Sequence, residues 1–336
     1  MKKKIKVAII GYGVVGKRRK NFIIQNKKYS LEAISDITFT KKKFRSKKII
    51  YYKNYYELVD NHDLDAVFIT LPNYLASKVT IECIKKKFHV FCEKPPAKSV
   101  KDIIKVSSTL KKFPGLKLKY GFNHRYHSSI KMAKKIINDK RYGEILNFRC
   151  LYGKSKIVTY NASEWRSKKK FAGGGILIDQ GIHLLDILLF FNGDFNKVKS
   201  FTSNKFWKYD VEDNAFALLK DKKGVIASIH STATQWQHKF RMEIAFKYAL
   251  VELQGILSGS KSYGKESLKI IKRNIKSAKG SKNQKNYYFK IDNSWKEEVE
   301  EFAKIIINNS KVNTGNIKDA ISSMKLVEKI YLAGKR

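Results

Sequence analysis

The chain has 336 residues, 43% of them hydrophobic and 12% aromatic, and a formal net charge of +41 at pH 7. This length favours two domains, and this composition excludes a disordered tail. The charge comes mainly from lysines spread over the whole chain, with ten arginines among the 70 basic residues. Nucleic-acid readers concentrate their charge and favour arginine, so we attribute the charge to biased codon usage and expect no nucleic-acid partner. A positive field would still attract an anionic substrate.

The cysteines and the apolar segments indicate where the protein resides. Cys83, Cys92 and Cys150 lack the spacing of metal ligands, which favours buried free thiols in a reducing compartment. No apolar run approaches the length of a membrane span. The basic start leads into an apolar stretch that is too short for a signal peptide. We therefore expect a cytoplasmic protein with no membrane contact and no metal site.

The first third of the chain alternates short apolar runs with segments of helical spacing. The predicted strands are residues 5–10, 31–35, 66–70, 88–95 and 116–123. Strands that alternate with helices in this way form βαβ units. The sequence therefore predicts an α/β Rossmann domain with a parallel sheet over residues 1–123.

After residue 124, strands follow one another without helical crossovers, which predicts an α+β domain with a mostly antiparallel sheet over 124–310. Helices are predicted at 128–138 and at about 176–191. Residues 258–285, rich in Lys, Ser and Gly, are predicted to form a loop between edge strands. A C-terminal helix at 311–336 is expected to pack near the Rossmann domain.

A dinucleotide-binding fingerprint follows the first predicted strand. Gly11, Gly13 and Gly16 satisfy GxGxxG, a helix follows, and Asp36 lies twenty residues beyond Gly16. The glycines permit a tight turn and a close approach of the backbone to a pyrophosphate, which the helix N-terminus attracts. A carboxylate at Asp36 would bind the ribose hydroxyls and repel a 2′-phosphate, which favours NAD over NADP. The lysines at 41–43 keep NADP open, because they are close enough in sequence to reach a phosphate.

Two further patches carry reactive side chains. Glu93-Lys94-Pro95-Pro96 ends a predicted parallel strand, where open α/β sheets place their ligands. A lysine there could polarise a hydroxyl or act as a base after its pKa is lowered by burial.

The second patch is GGGILIDQGIHLLD at 173–186, in which Asp179 and His183 are spaced to share one helix face. Such a pair can act as a general acid and base, with the carboxylate orienting the imidazole. Asp186 is an equally placed partner for the ring. A capped helix with a buried structural histidine is the alternative interpretation.

Together these motifs resemble the Gfo/Idh/MocA family of sugar and cyclitol oxidoreductases. The resemblance spans nearly the whole chain: GYGVVG, TLPN at 70–73, HVFCEKP at 89–95, GFNHRYH at 121–127, EWR at 164–166 and the GGG segment. It implies a Rossmann domain followed by a domain with an open, mostly antiparallel sheet. That sheet commonly forms the subunit interface in the family, which implies a homodimer or homotetramer. NHRYH, DQGIH and VEDNAF look most like members associated with surface-polysaccharide biosynthesis.

The resemblance implies that Lys94, Asp179 and His183 are catalytic, with either Lys94 or His183 taking the hydroxyl proton as hydride leaves the same carbon. The implied cofactor-binding residues, which include those of the fingerprint, are Gly11, Gly13, Val14, Val15, Gly16, Asp36, Thr70, Pro72, Asn73, Glu93 and Lys94. The substrate residues are Arg125, Trp165 and Arg166, together with Asp179 and His183. A cis Lys94–Pro95 bond is also implied.

The chain departs from the family pattern at Ala76, near where members often carry histidine, and in FKYAL, which lacks the usual glycine. The expected function is NAD-dependent hydride transfer at a carbinol carbon of a sugar, a sugar derivative or a nucleotide sugar. The alternatives are an NADP-linked reductase of a sugar ketone or imine, a basic nucleic-acid-binding protein, and an NAD sensor without turnover.

Overall fold

The computed structural model describes residues 4–156, 165–258, 261–274 and 280–334. The strands are β1 Ile5–Ile10, β2 Tyr29–Ser35, β3 Lys43–Ser46, β4 Ile49–Tyr52, β5 Ala66–Ile69, β6 His89–Glu93, β7 Leu118–Gly121, β8 Ile145–Gly153, β9 Lys197–Ser203, β10 Asn214–Lys220, β11 Ile226–Thr232, β12 Lys239–Phe246, β13 Ala249–Gln254, β14 Glu266–Lys272 and β15 Gln284–Phe289. The helices are α1 Val14–Gln25, α2 Tyr55–Asn61, α3 Asn73–Lys85, α4 Val100–Leu110, α5 Ser128–Asn138, α6 Lys169–Ala172, α7 Ile182–Asn192, α8 Ser294–Ile307 and α9 Ile317–Ala333. A π-helical turn, Leu177–Gly181, directly precedes α7.

The chain divides into two compact units. Unit 1 comprises Met1–Asn123 and Trp295–Met324, and unit 2 comprises His124–Ser294 and Lys325–Arg336. The sequence assigned residues up to 310 to the second domain and expected the C-terminal helix near the Rossmann domain, whereas Trp295–Met324 cluster with unit 1 and Lys325–Arg336 with unit 2. The reason is apolar packing, because Phe302 of α8 lies edge-on against the rings of Phe68 and Phe91 in the unit 1 core.

Unit 1 is built on a seven-stranded sheet with the order β3-β4-β2-β1-β5-β6-β7. Every neighbouring pair in it is parallel except β3 and β4, which form an antiparallel hairpin at one edge. The central strands are buried along almost their whole length, as apolar runs in parallel sheets are. The predicted Rossmann-type sheet is confirmed.

Unit 2 contains an open eight-stranded sheet with the order β15-β14-β13-β12-β8-β11-β10-β9. All its pairs are antiparallel except β8 with β11, which confirms the predicted fold class. The expectation of a loop over 258–285 was wrong in part, since β14 occupies 266–272. Leu268 and Ile270 alternate inward with polar residues outward there, and the lysine-rich composition hid this period of two.

Helices α5 and α7 pack on the strands of unit 2. The helical stretch Lys169–Asn192 is long and apolar enough, by length and composition, to cross a membrane, but 78% of its apolar 18-residue segment is buried inside the protein. It is a core helix of this unit. The three cysteines are free and buried, as predicted, and burial raises the pKa of each thiol.

Candidate active site

The glycine turn between β1 and α1 has the geometry that a dinucleotide requires. Gly11 has φ +95°, and a Cβ there would lie 2.6 Å from the carbonyl oxygen of Thr70. A Cβ on Gly16 would lie 2.2 Å from the carbonyl oxygen of Gly11, so α1 approaches β1 too closely for any side chain. A Cβ on Gly13 would meet nothing within 4 Å. The turn is therefore closed on its protein side and open at the start of α1, which fits a pyrophosphate.

Asp36 follows β2 and is held beside this turn. One carboxylate oxygen accepts the backbone N–H of Tyr12, and the other accepts the backbone N–H and the hydroxyl of Thr38 at 2.9 and 2.6 Å. These bonds fix the carboxylate before any ligand arrives. A fixed, partly exposed carboxylate beside the glycine turn fits the adenosine ribose of NAD.

The other predicted cofactor residues of unit 1 lie after the carboxyl ends of β1 and β5: Val14, Val15, Thr70, Pro72 and Asn73. Val14, in the first turn of α1, is largely exposed, while Asn73 at the start of α3 is buried. The Thr70 hydroxyl donates to the carbonyl oxygen of Gly11 at 2.6 Å, so it braces the glycine turn.

Glu93 and Lys94 lie at the carboxyl end of β6, and the Lys94–Pro95 bond is cis as predicted. The Glu93 carboxylate is buried against Gly121 of β7, where a Cβ would lie 2.8 Å from a carboxylate oxygen. The Glu93 carboxylate also accepts a hydrogen bond from Arg19 Nε at 2.6 Å.

Arg19 joins Glu93 to α8 through a buried ion-pair cluster that the sequence analysis missed. Its guanidinium is fully buried, lies over the Phe91 and Trp295 rings, and donates through Nη2 to Glu298 at 2.5 Å. Burial raises the pKa of Glu298 to about 7, against the lowering effect of Arg19. The only local sequence signal for a role of Arg19 was its position three residues after the fingerprint. The sequence around Glu298 gave no signal of a role in this cluster.

In unit 2, the GGG segment leads into the π-helical turn that carries Asp179. A Cβ on Gly175 would lie 2.1 Å from the carbonyl oxygen of Glu212, so only glycine fits there. The Glu212 carboxylate accepts the backbone N–H groups of Gly175 and Leu177 at 2.7 and 3.0 Å. Burial raises the pKa of Glu212 although these bonds oppose the rise. π-Helical turns are frequent at functional sites.

Two cations flank Asp179. Lys154, directly after β8, donates from Nζ at 2.9 Å, and Arg166 Nε lies 3.6 Å from the other carboxylate oxygen. Arg166 also lies over the Trp165 ring at 4.4 Å. Glu164 of the EWR motif lies outside the described residues. Lys154 was not predicted, because one lysine among so many carries no local signal.

His183 is buried in the first turn of α7, the turn after Asp179, and stacks on another imidazole. The His124 ring lies 3.8 Å from it, centroid to centroid, with an interplanar angle of 12°. His124 Nε2 lies 2.8 Å from the Tyr152 hydroxyl, within hydrogen-bond distance. The sequence analysis did not single out His124 or Tyr152, although His124 lies in the quoted NHRYH segment.

Asp186 was the alternative partner for His183. Both of its carboxylate oxygens accept hydrogen bonds from Arg125, from Nε and Nη2, each at 2.7 Å. Arg125, a predicted substrate residue, is buried in this fork-like pair. The structure thus places Asp186 on Arg125, and Asp179 with Lys154.

The fold and these two sets of residues define a class of protein. A glycine turn with an adjacent carboxylate, in a Rossmann-type sheet, is the site of a dinucleotide-dependent oxidoreductase. Models of one family match both parts of the chain: "Oxidoreductase family, NAD-binding Rossmann fold" over residues 5–118 and "GFO/IDH/MocA C-terminal domain" over residues 130–250. The chain therefore belongs to the Gfo/Idh/MocA oxidoreductase family, and the predicted family and NAD-binding fold are confirmed.

Curated relatives of the chain include sugar and cyclitol dehydrogenases. Levoglucosan dehydrogenase of Pseudarthrobacter phenanthrenivorans is 25% identical over 201 residues, which cover 52% of this chain and 51% of the relative. Myo-inositol 2-dehydrogenase of Thermotoga maritima is 25% identical over 236 residues, 68% of each chain. The match thus spans from about half to two thirds of the length of these relatives.

Solved structures match the fold over almost the whole chain. A putative NADPH-dependent oxidoreductase from Desulfitobacterium hafniense superposes with a TM-score of 0.84 at 20% identity, covering 99% of this chain and 97% of that one. The WlbA dehydrogenase from Bordetella pertussis, in complex with NADH and UDP-GlcNAcA, superposes with a TM-score of 0.80 at 18% identity and the same coverage. At these identities the likeness shows the fold.

Proposed function

We propose that this protein is an NAD-dependent dehydrogenase that transfers a hydride between a carbinol carbon of a sugar or sugar derivative and nicotinamide C4. The observation that carries the proposal is the pairing of Asp179 with Lys154 on the turn before His183. It occurs in a chain whose unit 1 has the NAD-binding fold of an oxidoreductase family. NAD, when bound, supplies the hydride acceptor. The residues of this chain supply binding, orientation and proton transfer.

We propose that either Lys94 or His183 takes the hydroxyl proton. Lys94 belongs to unit 1 and His183 to unit 2. The stacked His124 ring disfavours a state in which both imidazoles are charged, because two imidazolium ions in contact would repel each other. A neutral imidazole can accept a proton. Asp179, held by Lys154, presents a carboxylate that hydrogen-bonds substrate hydroxyls in a fixed orientation.

For the cofactor we propose NAD in preference to NADP. The carboxylate of Asp36 is fixed where a ribose diol would bind and would repel a 2′-phosphate. Lys43, one of the lysines that kept NADP open, lies over the Tyr52 ring at 5.1 Å. The ammonium group of Lys43 thus contacts β4, which makes it less available to a 2′-phosphate.

For the substrate we propose a sugar that carries an anionic group, with a nucleotide sugar as the specific form. Relatives are named for sugar substrates, and WlbA was solved with UDP-GlcNAcA. In this chain Lys154 and Arg166 give the surroundings of Asp179 an excess of positive charge. The Trp165 ring and Arg166 suit the apolar face of a pyranose and an acidic group, respectively.

We also propose a cytoplasmic homodimer or homotetramer assembled through the outer face of the unit 2 sheet. Four large apolar side chains are exposed on its neighbouring strands β9 to β11: Phe201, Phe216, Leu218 and Ile226. Phe201 and Phe216 are direct cross-strand partners. An exposed apolar patch on a regular sheet is typical of an interface between identical chains.

The proposal is tested by cofactor-linked turnover on a panel of sugars, sugar acids and nucleotide sugars, with NAD and NADP in parallel. Lys94→Ala and His183→Ala should each abolish most turnover with any sugar that the wild type accepts. Turnover with a sugar ketone or imine and NADPH, but with no sugar alcohol, would favour the reductase alternative. Tight NADH binding without turnover of any panel member would favour the sensor.

A further inference from the structure

Trp236 is an exposed aromatic residue in a strained backbone conformation. It lies in the loop between β11 and β12, has φ +56°, and is 60% exposed. The N–H of Gln237 donates to the carbonyl oxygen of Gln235 at 2.6 Å, so Trp236 is the central residue of a γ-turn with positive φ. Such turns are rare and strained, and strain of this kind clusters at ligand-binding sites.

A second loop supports the ring from behind. Phe206, between β9 and β10, is 55% exposed and lies edge-on to Trp236 with 4.7 Å between ring centroids. The buried Asp213 carboxylate accepts the backbone N–H groups of Phe206 and Trp207 at 2.9 and 3.0 Å. The Trp207 indole donates to the carbonyl oxygen of Ala233 at 2.9 Å, which ties the two loops together. The exposed rings are therefore held by a built framework.

The Trp236 loop is anchored to the residues that hold Asp179. The N–H of Gln235 donates to the carbonyl oxygen of Lys154 at 3.2 Å, and Lys154 Nζ donates to Asp179. A Cβ on Gly153 would lie 2.7 Å from the Gln235 Cβ, so the loop packs directly on the end of β8. Trp236 is thus one residue from a backbone bond to the lysine that holds Asp179.

The other end of the loop has a matching anchor. The His238 ring lies 4.8 Å from the Tyr263 ring, and the Tyr263 hydroxyl accepts a hydrogen bond from Gln180 at 2.9 Å. Gln180 is the residue after Asp179. The loop that presents Trp236 is therefore attached on both sides to the neighbourhood of Asp179.

We propose that Trp236 and Phe206 form a stacking subsite for a second ring joined to the sugar that reacts beside Asp179. The subsite rests on the proposed function and specifies its substrate as a two-ring molecule. Exposed lysines at 205 and 208 flank Phe206 in sequence, which suits a diphosphate link and makes the nucleobase of a nucleotide sugar the favoured ring. A second pyranose offers the same stacking chemistry without the phosphate.

The test is calorimetric binding of UDP, cellobiose and glucose to the wild type, Trp236→Ala, Trp236→Phe and Tyr288→Ala. Tyr288, an exposed aromatic residue on β15, is the matched control. We expect UDP or cellobiose to bind more tightly than glucose. In Trp236→Ala, loss of the ring should weaken the binding of that probe about 10-fold. Trp236→Phe should retain most of the affinity for the probe, and Tyr288→Ala should bind it as the wild type does.

Preference for UDP identifies a nucleobase subsite, and preference for cellobiose identifies a sugar subsite. Equal affinity of Trp236→Ala and the wild type for both two-ring probes overturns the proposal, as does a wild type that binds neither. Dissociation of an oligomer by Trp236→Ala would also overturn it, because the ring would then be a subunit contact. NADH affinity measured on the same samples reports separately on the proposed function. A wild type that binds no NADH contradicts that function, whereas the comparison of Trp236→Ala with the wild type tests the stacking subsite.

Discussion

The glycine turn of unit 1 takes its geometry from the backbone, whereas the surroundings of Asp179 in unit 2 take theirs from side chains distant in sequence. The glycine turn and Asp36 are shaped by residues near them in the chain or by the backbone of an adjacent strand. Asp179 is held by Lys154, 25 residues away, and His183 is stacked on His124, far upstream. Backbone sites tolerate changes in most side chains, and side-chain sites do not.

The comparison is tested most severely by removing the reactive groups. On the proposed mechanism, Lys94→Ala and Asp179→Asn should each lower kcat by about 100-fold to 10,000-fold, because they would remove proton transfer and substrate orientation, respectively. NADH affinity, measured by fluorescence titration, should change little in Asp179→Asn. The control is Lys101→Ala, an exposed lysine on α4. If Asp179→Asn loses NADH affinity as fully as it loses turnover, the roles of the two sets of residues are not separable.

The glycine turn should respond in the opposite way. In Gly16→Ala the new Cβ collides with the backbone of Gly11, so we expect a lower Tm by overpacking, equivalent to about 1–3 kcal/mol, and weaker NADH binding. Gly13→Ala adds a Cβ into open space and should keep the Tm of the unliganded protein while weakening NADH binding. Unchanged NADH affinity in Gly13→Ala would mean that no ligand lies against this residue.

A substitution at Lys154 tests the orientation of Asp179 specifically, because Lys154 would act only by holding the Asp179 carboxylate. Lys154→Met keeps the length of the side chain and removes the charge, and we expect kcat to fall about 10-fold to 100-fold with NADH affinity unchanged. Lys156→Met, an exposed neighbour, is the control. A Lys154→Met enzyme with wild-type kcat would show that Asp179 needs no anchor.

The smallest effect concerns stability, and it contrasts two buried carboxylates. Burial raises the pKa of Glu298 to about 7 from 4.5, so between these values the folded state holds a proton that the unfolded state has released. Stability from this group is therefore full at low pH and falls as the pH rises through about 7. Tm measured across this window should decline less in Glu298→Gln than in the wild type.

Glu266 in unit 2 should behave in the reverse sense. Burial favours a raised pKa there too, but hydrogen bonds from His127 and Ser129 outweigh it and lower the pKa. Its contribution to stability is present above the unfolded pKa and is lost as the pH falls. Glu266→Gln should therefore flatten the acid side of the profile of Tm against pH.

For Glu298, a Tm profile of Glu298→Gln that runs parallel to that of the wild type from pH 4.5 to 7 would contradict the raised pKa.

The same contrast explains what could be predicted from the sequence. The strand before Gly11, the glycine spacing and Asp36 are local signals, and the Asp179–His183 spacing is a local helical signal. Lys154 becomes a site residue only when the end of β8 meets the turn before α7, and His124 only when the segment Asn123–Tyr126 packs on α7. Local patterns encode neither contact. Arg19 and Glu298 meet because α8 packs in unit 1, and this also explains why the boundary expected at 310 differs from the observed division.

The most direct test of the central claim is a thermal-shift comparison of NADH, NADPH and duplex DNA on the wild type, Asp36→Ala and Asp63→Ala, an exposed control in the same unit. A ligand that binds only the folded state raises Tm. We predict that NADH stabilises the wild type and Asp63→Ala more than NADPH does, and that Asp36→Ala loses this preference. Stabilisation by duplex DNA and by neither dinucleotide would contradict the account and make the positive charge the functional feature.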